Sequence, residues 1–208
     1  MAKIVLKEKH ERREGMHLHI KGDRCSSPKC ALTRRNYPPG VHGPNSRSRS
    51  TPYGQQFREK QRAKLTYGLL ERQFRKYFDK ATQAHGDTSI FLIRALETRL
   101  DNVVFRMGFA TSRRQARQMV NHGHFKVNGK AVNIPSYAVR AGETVTLKEN
   151  RRASPLYVQF TARAGKTTIP PWLMVTPDAF EGKMVAAPEG DDLHTAFDPK
   201  LIIEFYSR

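Results

Sequence analysis

The stretch Thr111-Ser-Arg-Arg-Gln-Ala-Arg-Gln-Met-Val-Asn-His-Gly123 carries its own start and stop, and it constrains the fold more than any other part of the chain. Ser112 followed three residues later by Gln115 matches a capping box. Gly123 stands where a helix ends in a left-handed residue. On a wheel advancing about 100° per residue, Ala116, Met119 and Val120 share one arc, while Arg113, Arg114, Arg117, Gln118 and Asn121 share the other. A short helix with one packing face and one recognition face is predicted. Forked guanidiniums and amides on one face suit phosphate oxygens and base edges, and the helix start at Ser112 adds partial positive charge. No acidic residue occurs between Asp101 and Glu143 to neutralise that face, as a merely solvated helix would have.

The next residues, His124-Phe-Lys-Val-Asn-Gly-Lys-Ala-Val132, place Asn128-Gly129 between two short apolar-containing runs, a strong hairpin signal. Pro135 ends it. A further strand pair is expected around Tyr137 to Leu147, with Ala141-Gly142-Glu143 turning between Val139 and Val145. Lys126 and Lys130 then fall near the basic face of the helix, either as direct contacts to the same partner or as charges protecting an edge strand.

Upstream, Phe57, Leu65, Leu69, Leu70, Phe74, Tyr77 and Phe78 recur at roughly helical spacing among basic residues, predicting helices near 53–66 and 68–84. Thr88 is expected to cap a third helix whose stripe Leu92, Leu96, Leu100, Val103, Val104 and Met107 forms core. Residues 1–50 are rich in Arg, Lys, His, Pro, Gly and Ser and read as extended or irregular backbone, ordered by binding a partner.

Charge names the class of partner. The 208 residues hold 37 Lys and Arg against 19 Asp and Glu, a formal net charge of +18. Residues 1–80 hold 20 basic and 7 acidic side chains, residues 81–175 hold 14 and 5, and residues 176–208 hold 3 and 7. Solubility needs a net charge of only about 2 to 8, so the excess points to a polyanion. The phosphate-facing work falls to the first two segments. Chemistry is excluded by what is missing: there is no glycine-rich phosphate loop, no Gly-x-Ser-x-Gly elbow and no His-Glu-x-x-His pair. No run of about eighteen apolar residues suggests a membrane span, and the start lacks a secretory apolar stretch, so a cytoplasmic location is expected. Two cysteines imply no disulfide framework.

Leu100-Asp-Asn-Val-Val-Phe-Arg-Met-Gly-Phe109, Ser112-Arg-Arg-Gln-Ala-Arg-Gln118, Val127-Asn-Gly-Lys130 and Ile134-Pro-Ser-Tyr137 resemble, in order and spacing, the RNA-binding module named after ribosomal protein S-four. That module also occurs in pseudouridine synthases, a tyrosyl-tRNA synthetase and a heat-shock protein, so the flanks decide. Arg12-Arg-Glu-Gly15, Pro39-Gly-Val-His-Gly43, Arg58-Glu-Lys-Gln61, Leu70-Glu-Arg-Gln-Phe-Arg75, Pro171-Trp-Leu173 and Leu201-Ile-Ile-Glu-Phe-Tyr-Ser-Arg208 look like the bacterial small-subunit ribosomal protein S-four family.

The resemblance implies an α+β protein in which an N-terminal irregular basic segment and a helical domain carry an inserted helix-hairpin-plus-twisted-sheet module. The expected divisions are 1–50, a basic extension; 51–95, a helical domain; 96–160, the RNA-binding module; and 161–208, a C-terminal segment packing on the helical domain. It implies a ribosome-bound structural protein that binds the 5′ domain of small-subunit rRNA, nucleates subunit assembly and sits by the channel through which mRNA enters. Neighbouring small-subunit proteins are further partners. Neither a membrane nor a small-molecule substrate is implied. The alternative is an mRNA-binding translational repressor or an RNA-modification accessory factor. RNA-binding candidates are Ser112, Arg113, Arg114, Arg117, Gln118, Asn121, Lys126, Lys130, Arg12, Arg13, His42, Arg58, Lys60, Arg72 and Arg75, with Arg47 and Arg49 for mRNA. Many relatives carry a four-cysteine zinc knuckle. Here Cys25 and Cys30 keep the second pair, while Glu8 and Glu11 stand where the first would be. The expectation is therefore no cofactor, with zinc at Cys25 and Cys30 only if a degenerate site persists.

Overall fold

The computed structural model describes residues 8–45, 51–157, 160, 168–193 and 195–208. In chain order the helices are α1 (Glu8–Glu14), α2 (Ala31–Arg34), α3 (Pro52–Thr66), α4 (Glu71–Gln83), α5 (Thr88–Glu97), α6 (Leu100–Arg106), α7 (Arg113–Asn121), α8 (Glu149–Arg152) and α9 (Pro199–Tyr206). The strands are β1 (Phe125–Val127), β2 (Lys130–Ala131), β3 (Thr144–Leu147), β4 (Leu173–Thr176) and β5 (Glu181–Met184). The class is α+β, as expected. The described residues fall into two compact units, one running to Leu92 and resuming at 195, the other spanning Ile93–Leu193.

In the first unit α3 and α4 occupy the predicted segments. Thr51 caps α3 by accepting from the Gly54 amide at 3.1 Å, and Pro52 takes the first turn, where its missing N–H costs nothing. Leu65, Phe74, Phe78 and Ile202 of α9 are buried. Glu71 ties the C-terminal helix down: it accepts from Tyr206 Oη at 2.7 Å, Lys60 Nζ at 3.0 Å and Lys64 Nζ at 2.9 Å.

The N-terminal segment is more ordered than its composition suggests. Glu11, fully buried in α1, accepts from the backbone amides of Leu18 at 3.0 Å and Ile20 at 3.2 Å, while Leu18 and Ile20 pack with Leu65. One carboxylate thus satisfies two amides of a turn with little regular structure. Arg12 donates Nε to the carbonyls of Arg35 and Tyr37 and lies 4.8 Å from the Tyr37 ring centroid. Internal contacts, rather than a partner alone, hold the described part of residues 1–45.

The second unit is built on an antiparallel sheet of order β2-β1-β3-β5-β4. Its core joins Leu100, Val103 and Val104 of α6 and Met107 just after it, Ala116, Met119 and Val120 of α7, and Phe125, Val145, Leu147, Leu173 and Met184 of the sheet. Phe109 stacks on Phe160 with ring centroids 4.2 Å apart.

Four expectations are corrected. The single third helix is two, because Arg99 is extended (φ −62°, ψ 138°) and bridges Ala138, while the Leu100 amide donates to Tyr137 and the Val139 amide to Thr98. Its cap is Asp87, whose Oδ1 accepts from the Ser89 amide at 2.7 Å, not Thr88. Residues around Tyr137 form no partner strand for β3, which pairs instead with β1 and β5. Finally, the segment after 160 does not all return to the helical unit: β4 and β5 complete the sheet, and the described residues from 195 on join the first unit.

Candidate nucleic-acid interface

Helix α7 forms as its termini dictate. Ser112 Oγ accepts from the Gln115 amide at 3.3 Å. The reciprocal half of the capping box shifts by one residue, since Gln115 Oε1 accepts from the amide and hydroxyl of Thr111 at 2.8 and 2.7 Å. At the other end Gly123 is left-handed (φ 65°), and the amides of Gly123 and His124 return to the carbonyls of Val120 and Met119. That double bond pattern is a Schellman motif and fixes where the helix stops.

Ala116, Met119 and Val120 are buried, whereas Arg114, Gln118 and Asn121 are exposed and Arg113 and Arg117 half-buried. Arg113 is more engaged than the wheel implies: its Nε donates to Asn102 Oδ1 at 2.7 Å, and its guanidinium lies 4.6 Å from the centroid of Phe105. Ser112 is buried and spent on its capping bond, so it is a structural residue of the site.

The hairpin after α7 forms on Asn128 (φ 46°) and Gly129 (φ 79°), both left-handed, with Val127 opposite Lys130. Lys130 is exposed and Lys126 half-buried. Asn128 Oδ1 accepts from the Thr144 amide at 2.9 Å, which ties the turn to β3. Sequence reasoning missed a basic group at the C-terminal end of α7. Lys148 Nζ would lie 3.6 Å from a methyl group placed on Gly123, and Arg151 follows in α8. The neighbouring imidazole senses them: His124 is held below its ordinary value, by burial first and then by the positive charges of Arg151, His122 and Lys148. The signal available in the sequence was the run Lys148-Glu-Asn-Arg-Arg152, passed over because it follows the strand rather than the helix.

In the first unit Arg72 and Arg75 are exposed on α4, joined on the same helix by exposed Lys76 and Lys80, also missed. Arg13 and His42 are exposed. Arg58 is half-buried and donates Nη1 to the Arg13 carbonyl at 2.9 Å. Lys60 is a correction. It is 6% exposed, bonded to Glu71 and within 4.4 Å of the Phe205 ring centroid, so it stabilises the fold and does not face a nucleic acid. Arg47 and Arg49 lie outside the described residues.

The cysteines do not fit a zinc centre. Burial first, and then the charge of Glu11, push the Cys25 thiol up to about 11, and the thiol donates to Glu11 Oε1 at 3.6 Å. Cys30 Sγ instead lies 3.7 Å from Nδ1 of His17. Among the described residues no three His, Cys, Asp or Glu side chains converge as a metal site would require.

Two family profiles match the chain: the Ribosomal protein S4/S9 N-terminal domain over residues 6–97 and the S4 domain over residues 98–145. Among curated relatives, the small ribosomal subunit protein uS4A of Alkaliphilus metalliredigens is 50% identical over 197 residues, covering 95% of this chain and 94% of that one. The small ribosomal subunit protein uS4 of Trichlorobacter lovleyi is 50% identical with the same coverage, and that of Natranaerobius thermophilus 48%. With both halves matched in order and half of the residues shared along almost the entire length, the chain belongs to the uS4 family of small ribosomal subunit proteins.

Proposed function

We propose that this chain is a structural, non-enzymatic constituent of the small ribosomal subunit in the cytoplasm, binding small-subunit rRNA and neighbouring subunit proteins. Its rRNA target is the 5′ domain, where early binding nucleates assembly, and its place is beside the channel by which mRNA enters, with Arg47 and Arg49 contacting the message. The observation that carries the reading is the division of α7 into a buried apolar face and an outward face of arginine and amide groups without a single carboxylate. Such a face meets phosphates and exposed bases of folded RNA, where shape and backbone dominate recognition.

The test is filter binding of the purified chain to a transcript of the 5′ domain, titrated with salt and challenged by excess duplex DNA. Tight binding that survives the competitor is expected. Binding lost equally to DNA would leave only a generic basic protein and overturn the assignment of the target.

A further inference from the structure

Behind α7 lies a buried polar relay. Glu97, the last residue of α5, and Asn102, in α6, are 2% and 1% exposed. Arg106 grips the Glu97 carboxylate in a two-pronged contact, Nε to Oε2 at 3.0 Å and Nη2 to Oε1 at 2.9 Å. Asn102 Nδ2 donates to Glu97 Oε2 at 2.8 Å and to the Glu97 carbonyl at 2.9 Å. A carboxylate and a carbonyl only accept, so they hold the NH2 end of the amide toward α5. Its oxygen must then face the other way, where it accepts from Arg113 Nε at 2.7 Å. The Phe105 ring supplies a flat wall 4.6 Å from the same guanidinium.

We propose that Glu97, Asn102 and Phe105 are positioning residues for RNA binding, acting through Arg113. The hydrogen bond fixes the direction of the guanidinium and the ring fixes its plane, so that the side chain meets RNA with much of its rotamer freedom already lost. Orientation of the Asn102 amide is itself set by Glu97, which makes a carboxylate remote from the RNA-facing surface a determinant of affinity. This inference rests on the reading that the polar face of α7 meets RNA.

The test is a double-mutant cycle on full-length protein. Affinity for the 5′-domain transcript is measured for wild type, Asn102→Ala, Arg113→Ala and the double variant, with thermal unfolding followed for each. Asn102→Ala is expected to weaken binding roughly fivefold in the wild-type background and less than about twofold when Arg113 is already Ala. An equal loss in both backgrounds would mean a structural role only, and so would overturn the proposal. Phe105→Leu, which keeps apolar volume but removes the ring face, is expected to give the same pattern and replaces Asn102→Ala if that variant does not fold. Arg114→Ala separates the two ideas. If it weakens binding while Arg113→Ala does not, the RNA-facing reading of α7 stands and the positioning role fails; if neither weakens binding, the reading itself has failed.

Discussion

A methyl group placed on Gly182 would lie 2.5 Å from Sδ and 2.8 Å from Cε of Met107, so strand β5 runs so close to the end of α6 that a side chain at this position requires Met107 to move. Met107 is fully buried, and it cannot swing into solvent to make space. Gly182→Ala is expected to destabilise the second unit by about 1–3 kcal/mol through overpacking. Urea unfolding at neutral pH checks this, and Met107→Ala in the same chain should relieve part of the loss. An unchanged midpoint in the single variant would show that the sheet can shift to accommodate the methyl.

The pairing of Tyr206 with Glu71 makes a second, acid-sensitive fastening. Burial alone would raise the Glu71 carboxyl, but hydrogen bonds from Tyr206, Lys64 and Lys60 outweigh it and lower the carboxyl to about 2. A depressed carboxylate contributes stability that is present above its unfolded value of 4.5 and is lost as pH falls through about 2. The Glu71 side chain is 44% exposed, so solvent screening keeps that contribution small. Tyr206→Phe is expected to cost about 0.5–1.5 kcal/mol at pH 7 and to leave a shallower loss between pH 4.5 and 2, read by denaturant midpoints across that range.

How much of this was legible in sequence depended on how local the cause was. Helix α7 and its hairpin could be read residue by residue, because Ser112, Gly123, Asn128 and Gly129 act on their immediate neighbours. The break at Arg99 could not be, because it is made by a bridge to Ala138 that no periodicity around Arg99 announces. Strands β4 and β5 were missed for the same reason: Glu181-Gly-Lys-Met184 has little strand character of its own, and takes its conformation from pairing with β3 and β4. Lys60 misled because a lysine on a basic helix reads as phosphate-facing. Its burial depends on Glu71 and on the rings of Phe205 and Tyr206, more than a hundred residues further along.

Glu11 fastens the N-terminal segment with one buried carboxylate. Glu11→Ala would leave the amides of Leu18 and Ile20 without their acceptor and open a space beside Cys25. The expected outcome is loss of local order: Cys25, buried in the native protein, should react with a maleimide probe at least tenfold faster, an opening worth about 1.4 kcal/mol or more. Unchanged labelling would mean that the Leu18, Ile20 and Leu65 cluster alone holds the turn.

His124 and Tyr157 form a buried pair, Nδ1 to Oη at 2.8 Å, that prefers the neutral imidazole. Burial, Arg151, His122 and Lys148 all lower the folded value below 6.5. As pH falls through 6.5 the unfolded chain therefore binds a proton that the native chain refuses, and stability falls with it. Unfolding midpoints should drop on going from pH 7.5 to below 6.5, and His124→Gln should flatten that dependence while lowering the neutral-pH value. A variant with the wild-type slope would assign the pH dependence to another group.

The outward face of α7 makes the last prediction, and its two halves must separate. Arg114 is exposed on the side of α7 opposite the packing residues Ala116, Met119 and Val120, so Arg114→Ala should leave unfolding within about 0.5 kcal/mol of wild type. If Arg114 neutralises one phosphate, the slope of log affinity against log salt for the 5′-domain transcript should shrink by roughly 1, because each contact releases about one counterion. Met119→Asp on the opposite face should do the reverse: it buries a carboxylate without a partner and unfolds the second unit before any RNA contact is tested. Loss of fold in the arginine variant, or an unaltered salt slope, would mean that the two faces of α7 have been assigned the wrong way round or that this helix is not where the RNA binds.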